Sequence, residues 1–399
     1  MKLLALESFC IGNGVDVDRG QVYSRGDVQG REDIVMGRAV VLDDSTPVTS
    51  VGAAIDYMPG FDSGGSYPAL NYSAANISTG PLIYPDAAWT AASAALPARF
   101  FPANNIWNRD ISTMPVHASS ATWVATTCDT GCVGLHPGWY PNLWGMRYNI
   151  VDGDTPGHLI RKTGTQYPGS HDGLVSAFPF TKDTLLQLGT PDSEAFMIWP
   201  SENKLWEMYN AHWNNGDPSA NACVIWDLTI NNLRSTGGRP QGISSADEAG
   251  LPIFPGLCRW DEVLSGSINH ALRFECEHGH IDPGTFLWPA RHAASNVVNG
   301  DDGHTSKPSA PPMGARARLR ADYNISTFRA QTQVILLALK KYGMFLADHG
   351  EDWDMTGTAD GAWNKSVIND LFKVPISAFD FIDESSLIID PDSAECVQP

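Results

Sequence analysis

The chain is poor in positive charge. Its 399 residues carry 26 Lys and Arg against 45 Asp and Glu, a net charge of −19. Nucleic-acid binding needs clustered Lys and Arg to meet phosphates, so the balance speaks against it, and equally against an anionic membrane surface. Charged residues of both signs make up only 18% of the chain. Long apolar runs are missing, so the sequence predicts no membrane insertion. The N-terminus MKLLALESFC meets an acid early and lacks the apolar core of a secretory leader. The expectation is assembly in a host cytoplasm without export by the general secretory route. There is no Gly-rich phosphate loop, no G-x-S-x-G elbow and no internal repeat. Seven cysteines, an odd number, lie scattered from Cys10 to Cys396. That pattern fits free thiols better than a disulfide framework. The exception is CDTGC at 128–132, which can close a small disulfide loop or supply half a metal site.

What the chain does have is 37 Gly, 27 Pro and 13 Trp. Many turn formers and many aromatics predict a mainly β protein with long loops. Residues 1–44 read as a small β/α module: strands in LLALESF and around Val15–Val17, a helix from Val28 to Met36 stopped by Gly37, and a strand Ala39–Leu42. Residues 45–100 include the charge-free run SGGSYPALNYSAANISTGPLIYP. This reads as an extended arm that packs between copies, with a homotrimer as the expected assembly. From 101 to 384 short apolar runs alternate with turns, as in AFMIWPSENKLWEMYNAHW, where PSEN reads as a hairpin turn. KLWEMYN alternates, predicting a strand that faces a core on one side. TFRAQTQVILLALKKYG is the one clear helix, capped by Ser326 or Thr327 and closed by Gly343, with MFLAD as a buried strand after it. The expected fold is a jelly-roll-like β-sandwich with one packed helix. Residues 385–399 read as an acidic, solvated tail.

Two resemblances attach to these segments. Val17, Gly20 and Val22, then Glu32-Asp33-Ile34 and Met36-Gly37-Arg38-Ala39, resemble small accessory modules of tailed-bacteriophage head and neck proteins. The resemblance covers about a tenth of the chain and implies docking to capsid, neck or tail proteins. The competing reading is a generic β/α cap. Ser245-Ala246-Asp247, Ala249-Gly250-Leu251-Pro252, Pro255-Gly256-Leu257, His270-Ala271-Leu272-Arg273-Phe274, Trp288-Pro289-Ala290-Arg291-His292 and Pro311-Pro312-Met313-Gly314-Ala315-Arg316 are similar to strings of a family of secreted bacterial β-sandwich proteins. That similarity spans roughly 101–384 and implies carbohydrate recognition or cleavage. The chain departs from it at Asp192-Ser193-Glu194-Ala195, where family members often carry Asp-Arg-His. A catalytic role of that element would not transfer unchanged.

Acid–base candidates are Asp192, Glu194, Glu207, His270, His292 and Asp348. Glycan hydrolysis needs two carboxyl groups, one held protonated by its surroundings. Glu194 and Glu207 flank a hairpin with apolar neighbours, which suits that pairing. The alternative places both on a solvent-facing strand surface. TFLWPARH at 285–292 reads as a buried strand ending in Trp288, with Arg291 and His292 emerging at its tip as sugar ligands. A structural pairing of Arg291 competes with that reading. Arg316, Arg318 and Arg320 fall on one strand face by period two. They form either a stripe for an acidic polysaccharide or a solvent face paired with acids. Trp139, Trp213 and Trp353 sit in loops where they can stack on sugars or anchor the core, and Trp213 and Asp348 complete the expected ligand set. Cys276-x-His278-x-His280 matches no standard zinc spacing, so the sequence names no metal and no cofactor.

Together these readings give a virion spike, fibre or decoration protein that binds a host polysaccharide. The alternatives are a glycoside hydrolase or lyase acting on host capsule, and a purely structural capsid or tail subunit.

Overall fold

A computed structural model describes residues 96–97, 99–128, 134–139, 145–163, 171–187, 192–294, 305–360 and 362–398, with five short strands before them. Those five form a three-stranded antiparallel sheet, in which Lys2–Ala5 pairs with Val22–Ser24 and Ala39–Leu42, and a hairpin of Phe9–Ile11 with Val15–Val17. The helix expected over 28–36 and most of the arm over 45–100 lie outside the described residues.

The large domain is mainly β. Ten strands carry its two main sheets: β1 His136–Pro137, β2 Tyr148–Ile150, β3 Ala195–Trp199, β4 Lys204–Tyr209, β5 Ala222–Asp227, β6 Leu272–Cys276, β7 Arg316–Leu319, β8 Met344–His349, β9 Asp354–Met355 and β10 Phe379–Phe381. One sheet has the order β10-β7-β8-β6-β9-β1 and the other β5-β4-β3-β2. Both are mixed. β6 runs parallel to β8, and β9 parallel to β1, while the remaining pairs of the larger sheet are antiparallel. Four helices accompany them among the described residues: α1 Ser120–Thr126, α2 Trp260–Ser265, α3 Ala330–Lys341 and α4 Lys365–Leu371. None is long and apolar enough to cross a membrane.

α3 forms where the 3.6-residue pattern places it. Thr332, Ile335, Leu336 and Leu339 make its buried stripe, and Lys340 and Lys341 oppose the dipole in its last turn. Its start differs from the expectation. Ser326 is taken up in a turn by Asn324, and the helix begins at Ala330 after an uncapped Arg329. It lies on the crossover that a parallel pair requires, between β6 and β8.

Register explains the continuous burial of the smaller sheet. Glu207 of β4 faces Phe196 of β3 and Val224 of β5. Phe196, Ile198, Leu205, Val224 and Trp226 fill one face against Tyr148 and Phe254; Met197, Trp206, Met208 and Cys223 fill the other against Phe178 and Phe180. KLWEMYN is therefore covered on both sides rather than one, as apolar runs in sheets with both faces covered are. PSEN does form the hairpin, as a short 3-10 turn ending at Asn203 with φ 52°.

Three expectations are corrected in the large domain. Trp139 and Trp353 are not exposed loop aromatics. Trp353 stacks on Phe274 at 5.1 Å and donates its indole N–H to Thr127, while Trp139 packs on Trp363. The arginines of β7 do not form an open stripe either. Arg316 is 1% exposed, lies over the Phe345 ring, and donates to the carbonyls of Tyr342, Ile106 and Arg109 and to Glu384 at 2.7 Å. Arg318 donates to the carbonyls of Ile111, Ser112 and Met114. Both guanidiniums gather carbonyls of the turns at 106–114 and of the end of α3, which is why this strand can bury them. Nor is the C-terminal segment a solvated tail. Ala394 and Cys396 are buried, and the backbone bonds Ile106 N to Ala394 O, and Cys396 N to Asn104 O, strap it to the start of the domain.

Arg316→Ala removes the cation from a buried pair and strands Glu384. The expected loss is about 3–5 kcal/mol of unfolding free energy. Arg320→Ala, at the exposed end of the same strand, should cost no more than about 1 kcal/mol. Urea titration of the two variants side by side measures the difference.

Candidate functional site

β6 and β8 are adjacent and parallel, so their carboxyl ends open on the same side. Register places Glu275 beside Asp348 and Cys276 beside His349, after an irregularity at Phe274. Arg273, 1% exposed, projects from β6 into a group of acids. It donates to Asp247 at 2.9 Å, Thr356 at 3.1 Å and Glu275 at 3.3 Å, and lies 3.6 Å from Asp348. Burial works against its charge, but Asp247, Glu275, Asp348 and Glu194 together raise its pKa.

A single guanidinium does not neutralise so many carboxyl groups. Burial, and after it the mutual repulsion of the acids, pushes Asp247 and Glu275 well above the ordinary carboxyl range despite Arg273. Asp348 rises to about 6 by burial, opposed by Arg273 and by the N–H groups of His349 and Glu248. Glu194 sits just before β3. It is 5% exposed, and its Oε2 has no hydrogen-bond partner. Burial raises its pKa well above the usual value, Arg273 opposes this, and the charges of Asp192, Asp348 and Glu207 add to the rise. A buried carboxyl with one unpartnered oxygen in such a field holds its proton more tightly than a solvated one.

Beside these acids lie imidazoles. His349 stacks on His278 with ring centroids 3.6 Å apart, and its Nε2 has no partner. Burial, with the neighbouring His278 and His292, lowers its pKa to about 3. His292 Nδ1 meets the Glu248 carbonyl at 2.9 Å and the Glu248 carboxylate at 3.5 Å. The constellation thus draws on five separate segments: 192–194, 247–248, 273–278, 292 and 348–349.

Of the residues expected from the sequence, Glu194 and Asp348 both bear on Arg273, and His292 bonds Glu248. Glu207 does not join them as a reactive group. It is fully buried, and its two oxygens accept from the backbone of Ile253 and Phe254 and from the Trp226 indole. A carboxyl group bonded at both oxygens ties the 253–254 turn to the smaller sheet. His270 is likewise structural: it bonds Glu262 at 3.1 Å and the carbonyl of Ala271, and with Arg259 it forms a buried network beside α2.

TFLWPARH is scaffold apart from its last residue. The strand spans Asp282–Phe286 and stops before the cis Trp288–Pro289 bond. Trp288 donates to the Ser393 carbonyl, and Arg291 donates to the carbonyls of Arg234 and Pro391 and to Asp392. Both side chains hold the C-terminal strap, and each Arg291 nitrogen already has an acceptor. Arg291 is also closed off by Gly242, whose φ of 80° lets the backbone press on the Arg291 carbonyl where a Cβ would collide. Trp213, on the short strand His212–Asn214 outside the two main sheets, packs on His158 and Phe180 and lines an open groove with Asp152, Asp154 and Lys182. Cys128 is disulfide-bonded, which removes it from any metal site, and Cys276 is a buried free thiol.

The residues missed from the sequence are Arg273, Asp247, Glu248, Glu275 and His349. The adjacent pair Asp348-His349 at the end of a buried strand is the signal that pointed to them. The chain matches no known family, no curated protein and no solved structure.

Burial raises Glu207 from 4.5 to about 7, against the pull of its Phe254, Ile253 and Trp226 donors and of Arg273. The folded chain then holds this proton more tightly than the unfolded one. Its contribution to stability is complete below the unfolded pKa and is lost as pH rises to about 7. Glu207→Gln should flatten that slope. It should also cost about 1–3 kcal/mol by turning an amide N–H toward donors. Urea unfolding of both proteins on either side of that pH range gives the two slopes.

Proposed function

We propose that the large domain is an acid–base enzyme that hydrolyses a polysaccharide of a host cell surface. The observation that supports this most directly is the Glu194 carboxyl: buried, with an unpartnered oxygen, and with its proton held tightly beside Asp348 where β6 and β8 end. General acids of glycoside cleavage are made this way, by environment rather than by residue type.

In this reading Glu194 gives its proton to the glycosidic oxygen as the C–O bond breaks. A water held near Asp348 and His349 adds its oxygen to the anomeric carbon. Its proton passes to Asp192, whose charge bears on both Glu194 and Asp348. One water is consumed and the acid is restored from solvent. Polysaccharide as the substrate class rests on the acidic, aromatic-rich composition and on the resemblance of residues 101–384. Residues 1–44 dock the chain on capsid, neck or tail proteins of a virion, and 45–100 pack between copies of a homotrimer; these parts rest on the sequence. A second reading, glycan binding without cleavage, is favoured by the Trp213 groove, where an indole edges an open, polar surface.

Released reducing ends from a panel of bacterial capsular polysaccharides separate the two. The wild-type chain should release them from at least one polymer. Glu194→Gln, which keeps the shape and loses the acid, should lower the rate by about 100-fold or more with unchanged melting. Binding without release by the wild type would favour the second reading.

A further inference from the structure

The least explained feature outside Glu194 is at the end of β8. His349 Nε2 is closed off from solvent and makes no hydrogen bond. At the same residue, one oxygen each of Glu248 and Asp348 and one ring nitrogen of His349 lie within 4.8 Å of one another. An imidazole that makes no ring hydrogen bond at Nε2, with two carboxylates gathered on the same residue, is a set of electron-pair donors that a cation can satisfy. A divalent ion draws such atoms together, with Zn–N and Zn–O lengths near 2 Å.

The surroundings are those of a supported ligand set. The second imidazole, His292, meets Glu248 through both its carbonyl and its carboxylate, which sets the direction of that side chain. His278 lies flat on His349 and fixes the plane of its ring. Asp348 Oδ1 accepts the His349 N–H at 2.8 Å and Oδ2 meets the Glu248 N–H, which orients the carboxylate while leaving lone pairs on both oxygens. A second cluster, Glu277, His280 and Asp352, has comparable spacing, but there His280 Nδ1 is already closed on Asp352 at 2.6 Å. Its imidazole contact is spent on an internal bond, and it is the weaker site.

We propose that Glu248, Asp348 and His349 bind one divalent first-row transition-metal ion, of the Zn²⁺ or Mn²⁺ type, with water completing its coordination. Imidazole among the ligands disfavours Ca²⁺ and Mg²⁺, and the two carboxylates disfavour Cu⁺. Three protein ligands with a position left for water is the arrangement of catalytic rather than structural sites. Binding itself stands on the geometry alone. What the ion does in turnover rests on the hydrolytic reading above: it makes its bound water more acidic, so that the water's proton leaves readily as its oxygen attacks.

The test uses the full chain, dialysed against a chelator and titrated calorimetrically with ZnCl₂, MnCl₂ and, as a control, CaCl₂. The wild type should bind one Zn²⁺ or Mn²⁺ per chain and Ca²⁺ far more weakly. Loss of a supporting partner of a metal ligand costs about 10–100-fold in affinity, so His349→Ala and Glu248→Gln should each cost at least about 100-fold. Glu277→Gln should bind as the wild type does. Bound Co²⁺ should show visible d–d bands that the first two variants lose. If His349→Ala melts early, Glu248→Gln, at a partly exposed position, decides. Absence of binding by all three ions, or Zn²⁺ binding undiminished in Glu248→Gln, would overturn the proposal. A bound ion without polysaccharide cleavage would leave the site standing and remove the hydrolytic reading. Cleavage that survives chelation, with no ion bound, would do the reverse.

Discussion

Arg273 is the one cation at the centre of a buried group of acids. Asp247, Glu275, Asp348 and Glu194 all bear on it, and it is 1% exposed. One positive charge in low dielectric cannot offset four negative ones, so protons must make up the difference. Added to the burial of Glu194 itself, that constraint raises the proton affinity of its carboxyl. It also places the site: β6 carries the arginine, β8 carries Asp348 and His349, and their parallel pairing brings the carboxyl ends of the two strands together. Without Arg273 the acids would have no counter-charge, and breaking a buried pair is strongly unfavourable.

The rest of the large domain fixes this centre in position. Glu207 holds the 253–254 turn against the smaller sheet, and the Asp247 loop continues from there through Ala249, whose carbonyl accepts the Arg291 N–H. Arg291 and Trp288 then fasten the C-terminal strap, and the strap returns to Ile106 and Asn104 at the start of the domain. Residues that look exposed and ligand-seeking in the sequence are instead spent on backbone carbonyls. In a protein with short strands and many turns, carbonyls without ladder partners are abundant, and arginine is suited to collecting several at once.

This is also why part of the site could be read in advance and part could not. The mainly β class, the hairpin at PSEN, α3 and the buried strand after it follow from local pattern and turn chemistry. Glu194, Asp348 and His292 were found because acids and histidines at the ends of apolar runs are visible without a fold. Arg273 and Glu275 were hidden inside such a run, HALRFEC, where a charged residue reads as a strand's outer face. Only the parallel neighbour β8, about seventy residues away in the chain, turns that face inward. Glu207 was misjudged for the same reason: its partners, Trp226 and the 253–254 turn, come from pairing and packing that its own segment does not encode. The arginines of β7 were read by period two as one face, correctly, but which face is covered is decided by the 106–114 segment packed against it.

The account's central claim is that burial, reinforced by the acids around it, keeps Glu194 protonated at neutral pH. Infrared spectra of the full chain resolve the C=O stretch of a neutral carboxyl from carboxylate bands. At neutral pH the wild-type spectrum should contain neutral-carboxyl absorption of which a distinct component is missing in Glu194→Gln. A difference spectrum in which Glu194→Gln removes only carboxylate bands would contradict it.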